Sequence, residues 1–151
     1  MKNFIVITLS LITILIFGCS QKSSKEYVDI AKLHIASGDD QTAIIELKNA
    51  IALEPNNSDA RFLLGNVYFN NAKLAQAEKE FRKALEVNAD VDVVVPLLVK
   101  THYYMEEFDT AFNVAAKANL TESNAISEIS FYQILSGLKS AVEIRSDVIN
   151  E

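Results

Sequence analysis

The chain repeats itself every 34 residues. Ala43, Ala77 and Ala111 are separated by that interval, and so are Ala50, Ala84 and Ala118. Ile30, Leu64 and Leu98 make a third column, His34, Tyr68 and His102 a fourth, and Leu47, Phe81 and Ala115 a fifth. Several independent columns at one spacing, in a chain of 151 residues, require a stack of similar units rather than one irregular core. Four glycines and two prolines supply few of the turns an all-β fold needs, so the units are expected to be helical. Alanine recurs where two helices must approach closely.

That interval is the length of the tetratricopeptide repeat (TPR), and the residues resemble that family. The second repeat carries Leu64, Gly65 and Tyr68 on a first helix, then Ala77, Phe81 and Ala84 on a second. Gly65 and Ala77 are the small partners that let the two helices touch. The first repeat has Ala31 in the glycine position and closes on Glu54-Pro55-Asn56-Asn57, where proline cannot continue a helix. The third keeps Leu98, Ala111 and Ala118, puts Val99 in the small slot and carries Pro96 early in its first helix, where the missing N–H does least harm. The resemblance implies an all-α, right-handed TPR solenoid of about three helix–turn–helix repeats, at about 24–57, 58–91 and 92–125, within a domain spanning 26–125. Residues 126–151 are then a C-terminal capping helix or a truncated fourth repeat. Ile129, Ile134, Leu135 and Leu138 share one side of it, it is either a single helix or a pair broken near Gly137, and Lys139, Glu143, Arg145 and Asp147 supply a polar face.

The N-terminus reads differently. Met1-Lys2-Asn3 gives a positive start, and Phe4 to Phe17 is apolar apart from Thr8, Ser10 and Thr13. Fourteen helical residues span roughly 21 Å, short of the ~30 Å hydrocarbon core of a bilayer, so the run fits a secretory signal. Ile16-Phe17-Gly18-Cys19 resembles the lipobox of bacterial lipoproteins. The resemblance implies a signal peptide over 1–18 and a lipidated Cys19 opening a polar tether over 19–25. The alternative is an uncleaved anchor that happens to contain a cysteine. Ser20, rather than aspartate, after the cysteine favours an outer-membrane anchor facing the periplasm. Several acyl chains on one residue exceed the two-signal requirement for lasting attachment.

In a stack of this kind the first helices of the repeats line a concave groove. Lys32, Asn66 and Lys100 are its inward positions, followed by Ile35, Phe69 and Tyr103, then Ala36, Asn70 and Tyr104. Ammonium groups, amides and aromatic rings in one strip suit a peptide segment with some acidic character; alternatively these side chains are merely solvated. The positions that carry a Lys/Asn/Arg clamp in chaperone-binding TPR domains hold Val28, Leu63, Val93 and Leu97, so that clamp is not expected. The two histidines are two repeats apart, roughly 20 Å at helix spacings of ~8–10 Å, too far to share a metal or relay a proton. No phosphate loop, nucleophile elbow or zinc spacing occurs. Catalytic residues, cofactors and metals are therefore not expected. A net charge of −6 without a run of Lys or Arg argues against nucleic acid as partner.

The segments "IIELKNA", "ARFLLG", "AEKEFRKALE" and "VVVPLL" resemble the N-terminal repeats of the TPR lipoproteins of the PEP-CTERM/exosortase exopolysaccharide system over roughly Tyr27 to Val114. That resemblance implies an envelope-anchored scaffold for export or assembly, with an envelope protein or peptide in its groove. A type IV pilus assembly lipoprotein and a truncated, non-functional paralogue are the alternatives, since fold alone does not choose among them.

Overall fold

The computed structural model describes residues 22–149. The signal peptide over 1–18, Cys19 and the start of the tether lie outside the described residues. Seven α-helices follow in order: α1 (Ser24–Ser37), α2 (Asp40–Leu53), α3 (Ser58–Asn70), α4 (Leu74–Glu86), α5 (Val91–Tyr104), α6 (Phe108–Lys117) and α7 (Ser123–Ile149). No strand occurs among the described residues. The all-helical repeat fold expected from the 34-residue period is the fold observed.

Local chemistry sets the boundaries. Ser23 opens α1 with a reciprocal cap: its hydroxyl accepts the Glu26 N–H at 3.2 Å, and the Glu26 carboxylate accepts the Ser23 N–H at 2.7 Å. Ser24 and Lys25, read from sequence as tether, therefore belong to the helix. Ser24 is buried and donates to the Ala50 carbonyl at 3.0 Å. Asn57 caps α3 by accepting the Ala60 N–H at 2.9 Å, and its amide reaches back to the Ser24 hydroxyl at 2.9 Å. Such contacts tie one hairpin to the next.

Within each hairpin the turn has one geometry. Gly38, Ala72 and Glu106, again 34 apart, all have positive φ, at 78°, 55° and 63°. The N–H after each bonds back across the turn: Asp39 to the His34 carbonyl at 2.9 Å, Lys73 to Tyr68 at 2.9 Å, and Glu107 to His102 at 3.0 Å. This is the left-handed helix stop that glycine adopts most readily. Only the first hairpin uses glycine; in the other two the surrounding bonds hold alanine and glutamate in the same conformation.

The first helices pack on one another, α1 on α3, α3 on α5 and α5 on α7, whereas α2, α4 and α6 do not meet among the described residues. The two layers therefore differ in spacing, and the stack curves with the first helices inside. Its core runs through the alanine columns: Ala43, Ala50, Ala77, Ala84 and Ala111 are fully buried, with Leu47 and Phe81 beside them.

Three expectations are corrected. Ala118 is not in the helical column of Ala50 and Ala84; α6 has only ten residues, and Ala118 is its half-buried, extended cap. The chain leaves early because Thr121 and Glu122 are held on α5 by Asp92. Pro96 falls early in α5, as expected, but as its buried sixth residue it lies past the first turn, where a missing N–H would do least harm. Finally, Ile134 and Leu138 do not join Ile129 in the core. Ile129 is buried, but Ile134 and Leu138 are 63% and 60% exposed, because α7 runs unbroken through Gly137 and no second helix turns back over them among the described residues. Of the polar face assigned to this end, Lys139 and Arg145 are exposed; the side chains of Glu143 and Asp147 lie outside the described residues.

Candidate functional site: an aromatic platform on the inner layer

The inner-layer residues named from sequence divide into two groups. On α1 and α3, Lys32, Ala36 and Asn70 are exposed, Asn66 is half-buried, and Ile35 packs against the core. These positions remain spread along the first two hairpins. At the other end the structure gathers rings. Phe69 lies 5.9 Å from Tyr104, centroid to centroid, and Tyr104 meets Tyr103 edge-on at 5.8 Å. Tyr103 is also edge-on to Phe108 at 5.6 Å.

Helix α7 completes the cluster. Tyr132 stands 5.2 Å from Tyr103 and 6.4 Å from Tyr104, and Phe131 is 5.3 Å from Tyr132. These edge-to-face contacts are the favoured geometry for aromatic pairs. The Tyr104 and Tyr132 hydroxyls are 3.5 Å apart. Burial, with a smaller contribution from the Tyr104 hydroxyl, pushes the Tyr132 phenol above its usual value, so it is a neutral hydrogen-bonding group at physiological pH. Sequence reasoning missed Phe131 and Tyr132 because the alanine columns stop at the third repeat. The signal was available, since Tyr132 continues the Leu64 and Leu98 column by a further 34 residues.

Lys100 occupies this platform, but not as a free charge. Its ammonium meets Glu128 at 2.5 Å and lies 5.7 Å from the centre of the Tyr132 ring. Lys139 covers the other side, 5.1 Å from the Tyr103 ring and 4.8 Å from that of Phe108, within range of cation–π attraction. Lys100 is thus already neutralised, and Tyr104 and Phe131, 52% and 58% exposed, are the faces available to a ligand. The result is a rigid ring surface with satisfied charges around it, suited to apolar or aromatic anchors. The clamp positions hold apolar side chains, Val28 buried, Leu63 and Leu97 half-buried and Val93 exposed.

The histidines serve the turns. His34 Nδ1 is 3.2 Å from Asp39, and His102 Nδ1 is 2.7 Å from Glu107. Tyr68 and Lys73 hold the same two positions in the middle hairpin, with the ammonium 6.0 Å from the ring centre. Each pair joins the last turn of one helix to the cap of the next.

The tetratricopeptide repeat family matches residues 34–95. Among curated protein sequences none matches significantly. Solved structures with this fold include YrrB, described as a TPR protein with an unusual peptide-binding site. It has 19% identity and a TM-score of 0.64, over 75% of this chain and 60% of that one. The TPR2B domain of yeast Sti1, in complex with pHsp70, has 12% identity and a TM-score of 0.68, over 77% of this chain and 97% of that one. The first TPR of Spaghetti (RPAP3), bound to the HSP90 peptide SRMEEVD, has 13% identity and a TM-score of 0.66, over 79% and 97%. The period in the sequence, the three stacked hairpins and these likenesses agree on the fold: the chain is a solenoid of helix–turn–helix hairpins like those of tetratricopeptide-repeat proteins, and the family's model matches its residues 34–95.

Proposed function

We propose that the protein is an envelope-anchored interaction scaffold that holds a peptide segment of an envelope protein on its inner layer, in support of exopolysaccharide export or assembly. The single observation that carries the binding reading is the ring platform of Phe69, Tyr103, Tyr104, Phe131 and Tyr132, half-open on a concave surface. Exposed aromatic side chains fixed by their neighbours give contact area at low entropic cost, as binding hot spots do. The peptide-binding site of YrrB and the HSP90 peptide on the first TPR of Spaghetti support the choice of ligand class. The segments shared with exopolysaccharide-system lipoproteins support the choice of process, and Cys19 in its lipobox-like setting supports the anchor and an outer-membrane site facing the periplasm.

Because Lys100 is tied to Glu128, the rings rather than the lysines are expected to dominate capture. Tyr104→Ala with Phe131→Ala should lower recovery of envelope proteins in a pull-down at least tenfold while leaving the helical circular-dichroism spectrum at 25 °C unchanged, with a lower melting temperature from the lost ring contacts. Equal recovery by the double variant would remove the platform from the binding reading. Deletion of the gene should reduce polysaccharide secretion and spare twitching motility; the opposite pattern would move the protein to pilus assembly.

A further inference from the structure

We propose that the outer cleft between α2 and α4 is a site for a compact, multiply charged oxyanion, a phosphoryl group above all, held by Lys48, Lys79 and Lys83. The cleft exists because the second helices of the hairpins do not meet, and it encloses about 310 Å³. Lys79 and Lys83 stand one turn apart on α4, and Lys48 lines the same cavity from α2, with Arg61 of α3 in its wall.

The charges around this cavity do not balance. Glu80 is the only carboxylate lining it, and it is committed to Arg61 at 3.1 Å. Arg61 is itself satisfied, donating Nε and Nη2 to the Pro55 carbonyl at 2.9 and 2.6 Å. Both side chains of the pair are about nine-tenths buried. The three lysines have no carboxylate within 4.0 Å among the described residues, whereas Lys25, Arg82 and Lys100 each have one. Three lysines line one cavity, Lys48 and Lys79 exposed and Lys83 half-buried, so positive charge gathers here in a chain of net charge −6, and an anion placed among them would be attracted by all three.

The donor set also selects the kind of anion. Planar carboxylates are matched by the forked guanidinium, and the one guanidinium here is occupied. What remains are ammonium groups, point charges free to rotate three donors toward a tetrahedral oxyanion. The site lies on the opposite layer from the aromatic platform, so an anion and a peptide can be held at once. Linear sequence hides it: Lys48 is 31 residues from Lys79, and no basic run announces the cluster.

The test titrates the full chain with inorganic pyrophosphate, with acetate as the planar control, by calorimetry and thermal melt. Saturable one-to-one binding of pyrophosphate, weakening as salt rises, is expected, with a rise in Tm and no response to acetate. The triple variant Lys48→Gln, Lys79→Gln, Lys83→Gln should lose at least tenfold in affinity. Its Tm without anion should equal or exceed that of the parent, because these lysines give up no ion pair among the described residues. Should the triple variant not fold, Lys79→Gln alone should lose several-fold in affinity. Binding unchanged in these variants, equal binding of acetate, or no saturation would overturn the proposal. Phosphatidylcholine vesicles with and without phosphatidic acid distinguish the source: phosphate-dependent capture lost in the triple variant assigns a lipid headgroup, and pyrophosphate binding without such capture assigns a soluble phosphorylated ligand.

Discussion

The second and third hairpins perform the same packing task with nearly opposite residues. In the second, the small slot on the first helix is Gly65 and the facing position on the second helix is Phe81. A Cβ added at Gly65 would sit 2.7 Å from the Phe81 ring. In the third the bulk moves across: Val99 fills the slot and Ala115 faces it, both in one buried cluster. The first hairpin is intermediate, with Ala31 and Leu47. What the repeat conserves is therefore the summed volume between two helices, not the residue at either place, as close packing demands.

The largest expected effect breaks that balance in the second hairpin. Phe81→Ala should destabilise the domain by about 3–5 kcal/mol, from lost burial and the cavity left behind. Gly65→Val should cost about 1–3 kcal/mol through overpacking. Together they recreate the arrangement of the third hairpin, and their combined cost should be well below the sum of the two. Chemical denaturation of the four proteins measures the coupling. Simple additivity would show that the two positions do not share one space.

A second contrast concerns charge. Arg61 and Glu80 form a largely buried ion pair in the second hairpin, where the third carries Val95 and Val114, both packed in its apolar cluster. Removing one partner strands the other. Glu80→Ala should cost about 3 kcal/mol, whereas replacing both by valine should come close to neutral. Denaturant midpoints of the single and double variants decide it, and equal losses in both would mean that shape rather than charge holds the site.

Legibility followed the same division. The alanine columns exposed the hairpins because a buried small residue is demanded by geometry at each repeat. The turns were less visible, because Ala72 and Glu106 adopt a conformation that their own side chains do not announce. Phe69, Tyr103 and Tyr104 were found from the inward positions of the period. Phe131 and Tyr132 were missed, and Lys139 was assigned only to a polar face, because α7 contributes to the platform without repeating the alanine pattern. The pairing of Lys100 with Glu128 was equally hidden, since a contact between hairpins depends on how the stack curves. The lysine cleft lies beyond any linear motif for the same reason.

The smallest expected effect concerns how the third hairpin passes the chain to α7. Its first helix carries Asp92 where the first and second hairpins carry Ser24 and Ser58. Asp92 accepts the Thr121 N–H at 2.8 Å, the Thr121 hydroxyl at 2.6 Å and the Glu122 N–H at 3.1 Å. The Thr121 hydroxyl bond, then the Glu122 N–H, hold the carboxyl below its ordinary 3.8. A carboxylate depressed by folding contributes stability that is fully present above the unfolded value and fades as pH falls through the folded one. Asp92→Ala should therefore lower the melting temperature slightly at pH 7, by loosening the entry to α7. The difference from the parent should shrink below about pH 4 and vanish once the parent's carboxyl is protonated. Melts of both proteins across that range give the answer. A difference that persists in acid would assign the loss to packing around Asp92 rather than to its charge. The same substitution at Ser58 should show no such dependence on pH, because the hydroxyl removed there does not ionise in this range.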